Sequence, residues 1–239
     1  MDIVEMFSDS YVSYPFSNFS RIVVLGILFC TGIFLIIPAI FAGGYLLRII
    51  ENTIKGNYEL PPFENWKKMF IDGLKIAVVI IFYALPGLIT EIALISLIHA
   101  NYPLMLAGEL SICLFIFTVL FYIAAYILSI TAIPRMAYNG QLKAGLEVKE
   151  VIRDIRTIGF KKYTLSLLGL SIMAAYLMLF SGYLHEIFYA AFYFIGPTTL
   201  ITVFLVNSIA DFMIYPLLIT AQGRLMGLIY LEKFNHVDS

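Results

Sequence analysis

Between residues 76 and 134, and again between residues 163 and 223, the chain has no lysine or arginine. Charge is scarce throughout. Asp, Glu, Lys and Arg make up 13% of the residues, half of the ~25% found in a soluble domain, which excludes an ordinary water-soluble core with a solvated shell. Cysteine is nearly missing too. Cys30 and Cys113 fall among aliphatic residues, so they read as small buried hydrophobes and not as a disulfide or a metal pair. The usual chemical signatures are absent: no nucleotide-binding glycine loop, no Gly-x-Ser-x-Gly elbow and no His-Glu-x-x-His motif. The first residues carry Asp2, Glu5 and Asp9 where a secretory signal needs basic residues, so no cleavable signal is expected.

What the chain does have is apolar length. Each basic-free stretch holds about sixty residues; as helix at ~1.5 Å per residue it measures roughly 90 Å, enough for two crossings of a ~30 Å hydrocarbon core and a turn. Of the fifteen basic residues, five lie in residues 48–75, seven in 135–162 and two in the tail, Arg224 and Lys233; the last is Arg21. Cytoplasmic loops collect Lys and Arg, so these segments are expected to face the cytoplasm. Spans are predicted at 22–47, 76–98, 105–133, 163–182 and 198–221, with a turn at Ala100-Asn101-Tyr102-Pro103 and a break at Pro197. The fold class is therefore an all-α polytopic bundle of about five transmembrane helices with amphipathic cytoplasmic helices. It lies in the cell membrane with its N-terminus outside and its C-terminus inside. In an alternative, 22–47 is a re-entrant hairpin broken at Pro38, with both termini in the cytoplasm; its arms of 16 and 9 residues are short for a bilayer.

Three spans end alike, at Pro38 and Gly44, Pro134 and Gly140, and Pro216 and Gly223. The chain reads as a single membrane domain, 1–239, built from parallel units 20–98 and 105–182 and a half unit 198–230. Proline followed by glycine can bend a helix and admit a close neighbour. The basic segments are amphipathic. In 62–75, Phe63, Trp66, Phe70 and Leu74 recur at helical spacing away from Lys67, Lys68 and Lys75; in 142–162, Val148, Val151, Ile152, Ile155 and Ile158 oppose Lys143, Lys149, Arg153 and Arg156. Each is expected to lie along the inner leaflet. Trp66, Lys67, Lys68, Lys149, Arg153 and Arg156 are the candidate lipid contacts. The expected partner is the bilayer, with anionic lipid as candidate ligand; no nucleic acid and no cofactor is expected.

Residues 43–75 carry a resemblance: Gly44-Tyr45-Leu46-Leu47-Arg48-Ile49-Ile50, Asn52-Thr53, Gly56, Glu59-Leu60-Pro61, Phe63, Trp66 and Phe70-Ile71-Asp72-Gly73-Leu74-Lys75, with Ser13-Tyr14-Pro15-Phe16 ahead of them. This resembles the uncharacterised, mostly archaeal multi-pass membrane proteins of domain-of-unknown-function family 4013. The resemblance covers roughly the first ninety residues and implies a polytopic membrane protein without an established activity. It brings no functional residues with it.

The polar residues inside the spans require a reason. Glu91 and Asp211 fall within hydrocarbon, where a charge costs at least ~2.5–3.5 kcal/mol, and Asn207 shares a helix face with Asp211. Together they form the candidate intramembrane polar site: glue between helices, worth ~0.6 kcal/mol per contact, or a cation or proton site. His99, His185, Glu186 and Glu109 fall near the outer face, yet no metal site is expected there. The function that follows is a non-enzymatic membrane scaffold or lipid-interacting protein. The alternative is a small transporter or permease using the intramembrane carboxylates.

Overall fold

The computed structural model describes residues 2–32, 36–99, 104–193 and 200–235; the side chains of 32, 104–107, 188–189, 191–193, 200–211, 213 and 235 lie outside that description. The described residues are mostly helical, without a strand, and residues 57–65 form an irregular link between helices. A short helix α1 (Ile3–Ser8) runs through a π turn (Asp9–Ser13) and a 3-10 turn (Pro15–Ser17) to α2 (Phe19–Gly32) and α3 (Ile36–Ile54). Then follow α4 (Trp66–His99), α5 (Leu104–Asn139), the short α6 (Leu142–Leu146) and α7 (Val148–Ile158), α8 (Phe160–Tyr193) and α9 (Leu200–Asn235).

Among the described residues four helices are long and apolar enough to cross a membrane, by length and composition: Trp66–His99, Gly108–Asn139, Phe160–Ile187 and Ile214–Phe234. The first expected span, 22–47, is not among them. Its described residues fall in α2, 14 residues or roughly 21 Å, and α3, 19 residues with Pro38 in its first turn, while residues 33–35 lie outside the description. The turn before α2 and the end of α3 meet the same segment: Leu60 N donates to Ser17 Oγ at 3.2 Å, and Asn52 Nδ2 to Glu59 O at 2.8 Å. The two helices thus form an antiparallel pair, with Ile22 and Leu25 packed against Tyr45 and Ile49. Tyr45, Ile49 and Ile50, in the second half of α3, are fully enclosed by protein, while Ile27, Ile36 and Ile37 are exposed.

Glycine places α3 against α4. A Cβ on Gly44 would collide with the carbonyl of Met69, and one on Gly73 with the carbonyl of Ile40. The two backbones therefore touch, each at a glycine of the other, as small residues permit between membrane helices. This crossing also corrects the expectation of a separate surface helix at 62–75: Trp66 to Lys75 are the first turns of α4 itself. Met69, Asp72, Gly73 and Ile76 face the bundle, while Trp66 and Leu74 are exposed.

Beyond these turns the apolar residues point outward. Ile81, Ile89 and Ile92 on α4, Ile112, Phe117 and Leu120 on α5, and Leu168, Ile172 and Leu179 on α8 are all exposed. That inversion of the soluble pattern is what a hydrocarbon solvent permits. The buried core sits instead at the basic end, where Leu47, Ile50, Met136, Val151, Leu225 and Ile229 share one cluster.

Candidate functional site

The basic end is built by three fastenings. Arg48, near the end of α3, donates through Nη2 to Asn65 O at 2.8 Å and holds the start of α4. Asn65 adopts a left-handed φ of 47° and its carbonyl accepts from Met69 N, opening α4. Phe63 stacks on Tyr45 with ring centroids 4.1 Å apart, and Trp66 meets Phe41 edge-on at 5.4 Å. Trp66 and the exposed Lys67 and Lys68 are thereby fixed at the entry to a span.

The second fastening is Asp154 on α7. Only 2% exposed, it accepts from Arg135 Nη1 at 2.6 Å and pairs with Lys233 Nζ at 2.7 Å. It therefore ties α7 to α5 and α9. Val151, Asp154 and Ile158 make the buried face, leaving Lys149, Arg153 and Arg156 exposed. Ile152, expected on the apolar stripe, is 37% exposed. At 3.6 residues per turn, positions 151, 154 and 158 align better than 151, 152 and 155, so an aspartate occupies a place that a search for apolar residues passes over.

The third joins the N-terminal segment to α9. Arg224, 2% exposed, donates through Nε to Asp9 Oδ2 at 2.8 Å and through Nη1 to Asn57 O at 2.8 Å. Its guanidinium lies between the rings of Tyr14 and Tyr58, 4.9 and 5.0 Å from their centroids. Burial pushes the Tyr14 hydroxyl up to about 12, with the Arg224 charge pulling the other way. In the sequence Arg224 reads as one of two basic residues of the tail; the acid that answers it, Asp9, lies too far off to be paired with it by spacing.

A model of the family described as proteins of unknown function, DUF4013, matches residues 27–185. The chain belongs to this family. In this DUF4013 protein the matched region holds the α3–α4 glycine crossing and the Asp154 hub, while Asp9, Arg21 and Arg224 lie outside it. No curated protein and no solved structure matches the chain.

The six expected lipid contacts, Trp66, Lys67, Lys68, Lys149, Arg153 and Arg156, are all exposed. Two are partly neutralised, Lys68 by Glu51 at 3.4 Å and Arg153 by Glu150 at 2.9 Å. The intramembrane residues are placed differently. Glu91 accepts a hydrogen bond from the Tyr122 hydroxyl of α5, and beside it Thr118 donates to Thr90 Oγ1 at 2.8 Å. These contacts join α4 to α5. The side chains of Asn207 and Asp211, both on α9, lie outside the described residues. Among the described residues no three His, Cys, Asp or Glu side chains come together.

Proposed function

We propose that this protein is a non-enzymatic scaffold of the cell membrane that engages anionic lipid through its basic end. The observation that carries the reading is the common exposure of Lys67, Lys68, Lys149, Arg153 and Arg156 with Trp66, where apolar spans begin. Each basic group near an anionic leaflet contributes ~1 kcal/mol, so the set favours such a surface even after discounting Lys68 and Arg153 for their acidic partners. The positive-inside rule turns this end to the cytoplasm. The Asp9–Arg224 and Tyr14–Glu59 contacts support a reading in which the N-terminal segment lies on the same side, as in the re-entrant arrangement. Glu91 serves as glue between α4 and α5, a role supported by its bond to Tyr122.

Trp66 is the chain's one tryptophan, so its fluorescence reports this site alone. Reconstituted into bilayers, the protein should be quenched more by brominated phosphatidylglycerol than by brominated phosphatidylcholine. The preference should fall with added salt and in Lys67→Gln/Lys68→Gln. Equal quenching by the two lipids at low salt would remove the reading.

A further inference from the structure

The arginines of the basic end differ in one respect. Arg224 is answered by Asp9, Arg135 by Asp154, Arg153 by Glu150, and Arg48 by the carbonyls of Pro62 and Asn65. Arg156, which is exposed, and Arg21 have no such answer, and of the two only Arg21 is partly buried. It sits in the first turn of α2, where Asn18 caps the helix by accepting from its backbone N–H at 3.3 Å. Its terminal nitrogen Nη1 is sealed from solvent with no hydrogen-bond partner among the described residues. A partly buried cation without an acceptor is costly, and more so than a neutral group.

Beside it is a recess of 280 Å³ lined by Arg21, Asn52, Asn57, Tyr58, Glu59 and the stretch Leu60 to Pro62. This is room for a phosphate group with part of its hydration. The walls are stiff. Asn57 Nδ2 donates to Asn52 Oδ1 at 2.7 Å, Asn52 to Glu59 O at 2.8 Å, and Arg224 grips Asn57 O from the other side. The Asn57 amide keeps a second N–H, and the exposed Tyr58 carries a hydroxyl. Glu59 is the one acidic lining residue, and its side chain is exposed.

We propose that this recess is an anion site that takes one phosphate group, with Arg21 as its charge and Asn57 and Tyr58 as further donors. Guanidinium suits this role because its fork matches phosphate oxygens. The site deepens the lipid reading but depends on it only for the source of the phosphate, which is a lipid headgroup or free phosphate. Glu59 opposes the ligand across the recess, so the two charges should act with opposite sign.

The test uses the full chain in neutral phosphatidylcholine nanodiscs, with bound ligand counted by native mass spectrometry. One arm titrates short-chain phosphatidylglycerol and the other inorganic phosphate. One saturable ligand is expected; the arm in which it appears names the source. Affinity should drop about tenfold in Arg21→Gln, recover in part in Arg21→Lys and rise in Glu59→Gln. Lys67→Gln/Lys68→Gln should leave this count unchanged while lowering the Trp66 quenching preference, which separates the recess from the lipid surface. Absence of saturable binding in both arms, or binding by folded Arg21→Gln equal to the parent, overturns the proposal. Should Arg21→Gln not fold, unchanged affinity in Glu59→Gln overturns it equally.

Discussion

Arg224 Nε and Asp9 Oδ2 lie 2.8 Å apart although 215 residues separate them in the chain. The pair fixes the N-terminal segment to α9, and its loss leaves a guanidinium that is 2% exposed with one partner fewer. We expect Asp9→Asn to destabilise the protein by about 2–3 kcal/mol, measured by denaturant titration in detergent. Asp9 is itself partly solvated, which keeps the expected loss at that level.

The same pair makes a topological prediction. In a background without Cys30 and Cys113, a cysteine at Ser8 should behave like one at Asn57. Both should be shielded from an impermeant thiol reagent in intact cells, while one at Asn101 is labelled. Labelling at Ser8 with shielding at Asn57 would restore the five-span arrangement and contradict the contact.

Gly44 and Gly73 should not tolerate alanine, because each Cβ would meet a backbone carbonyl that cannot move without separating α3 from α4. A loss of about 1–3 kcal/mol or more is expected for each. Gly43 is the control. A Cβ there finds its nearest atom at 3.7 Å, so Gly43→Ala should leave the melting temperature almost unchanged.

Much of this was legible in the sequence, and the parts that were not share a cause. The all-α membrane bundle and the exposed cations follow from where lysine and arginine are absent. Whether 22–47 crosses or re-enters was left open between a span and a hairpin, because a 26-residue apolar run looks the same whether lipid or protein covers it. Asp72 and Asp154, 1% and 2% exposed, were hidden because hydropathy marks a carboxylate as surface; only the partners Lys75, Arg135 and Lys233 permit its burial. Glu91 was recognised by its cost, and its partner Tyr122 was not, since 31 residues separate them.

Asp154 should matter more than any exposed charge near it. Asp154→Asn leaves Arg135 and Lys233 facing a neutral group, with an expected cost of about 3–5 kcal/mol. Arg153→Gln, at a side chain 71% exposed, should cost within about 1 kcal/mol. Equal melting temperatures for the two variants would contradict the hub.

Alkali should loosen the N-terminal segment through Tyr14. Its hydroxyl titrates at about 12 when folded and at ~10 when unfolded, so the folded state holds the proton more tightly. The associated stability is complete below pH 10 and is lost as pH rises toward 12, by about 3 kcal/mol at most. Tyr14→Phe lacks this contribution and should show a shallower decline over that window.

The joining of residue 9 to residue 224 also orders the making of the protein. A ribosome adds ~5–20 residues per second, so Asp9 waits on the order of ten seconds or more for its cation while every other helix is synthesised. During that interval Tyr14 and the 57–62 segment lack their Arg224 lid, and α2 and α3 are held by each other, by α4 and by α5. Closure at Arg224 is thus a terminal event in biogenesis. A chain that stalls before residue 224 lacks the cation that answers Asp9 and covers Tyr14.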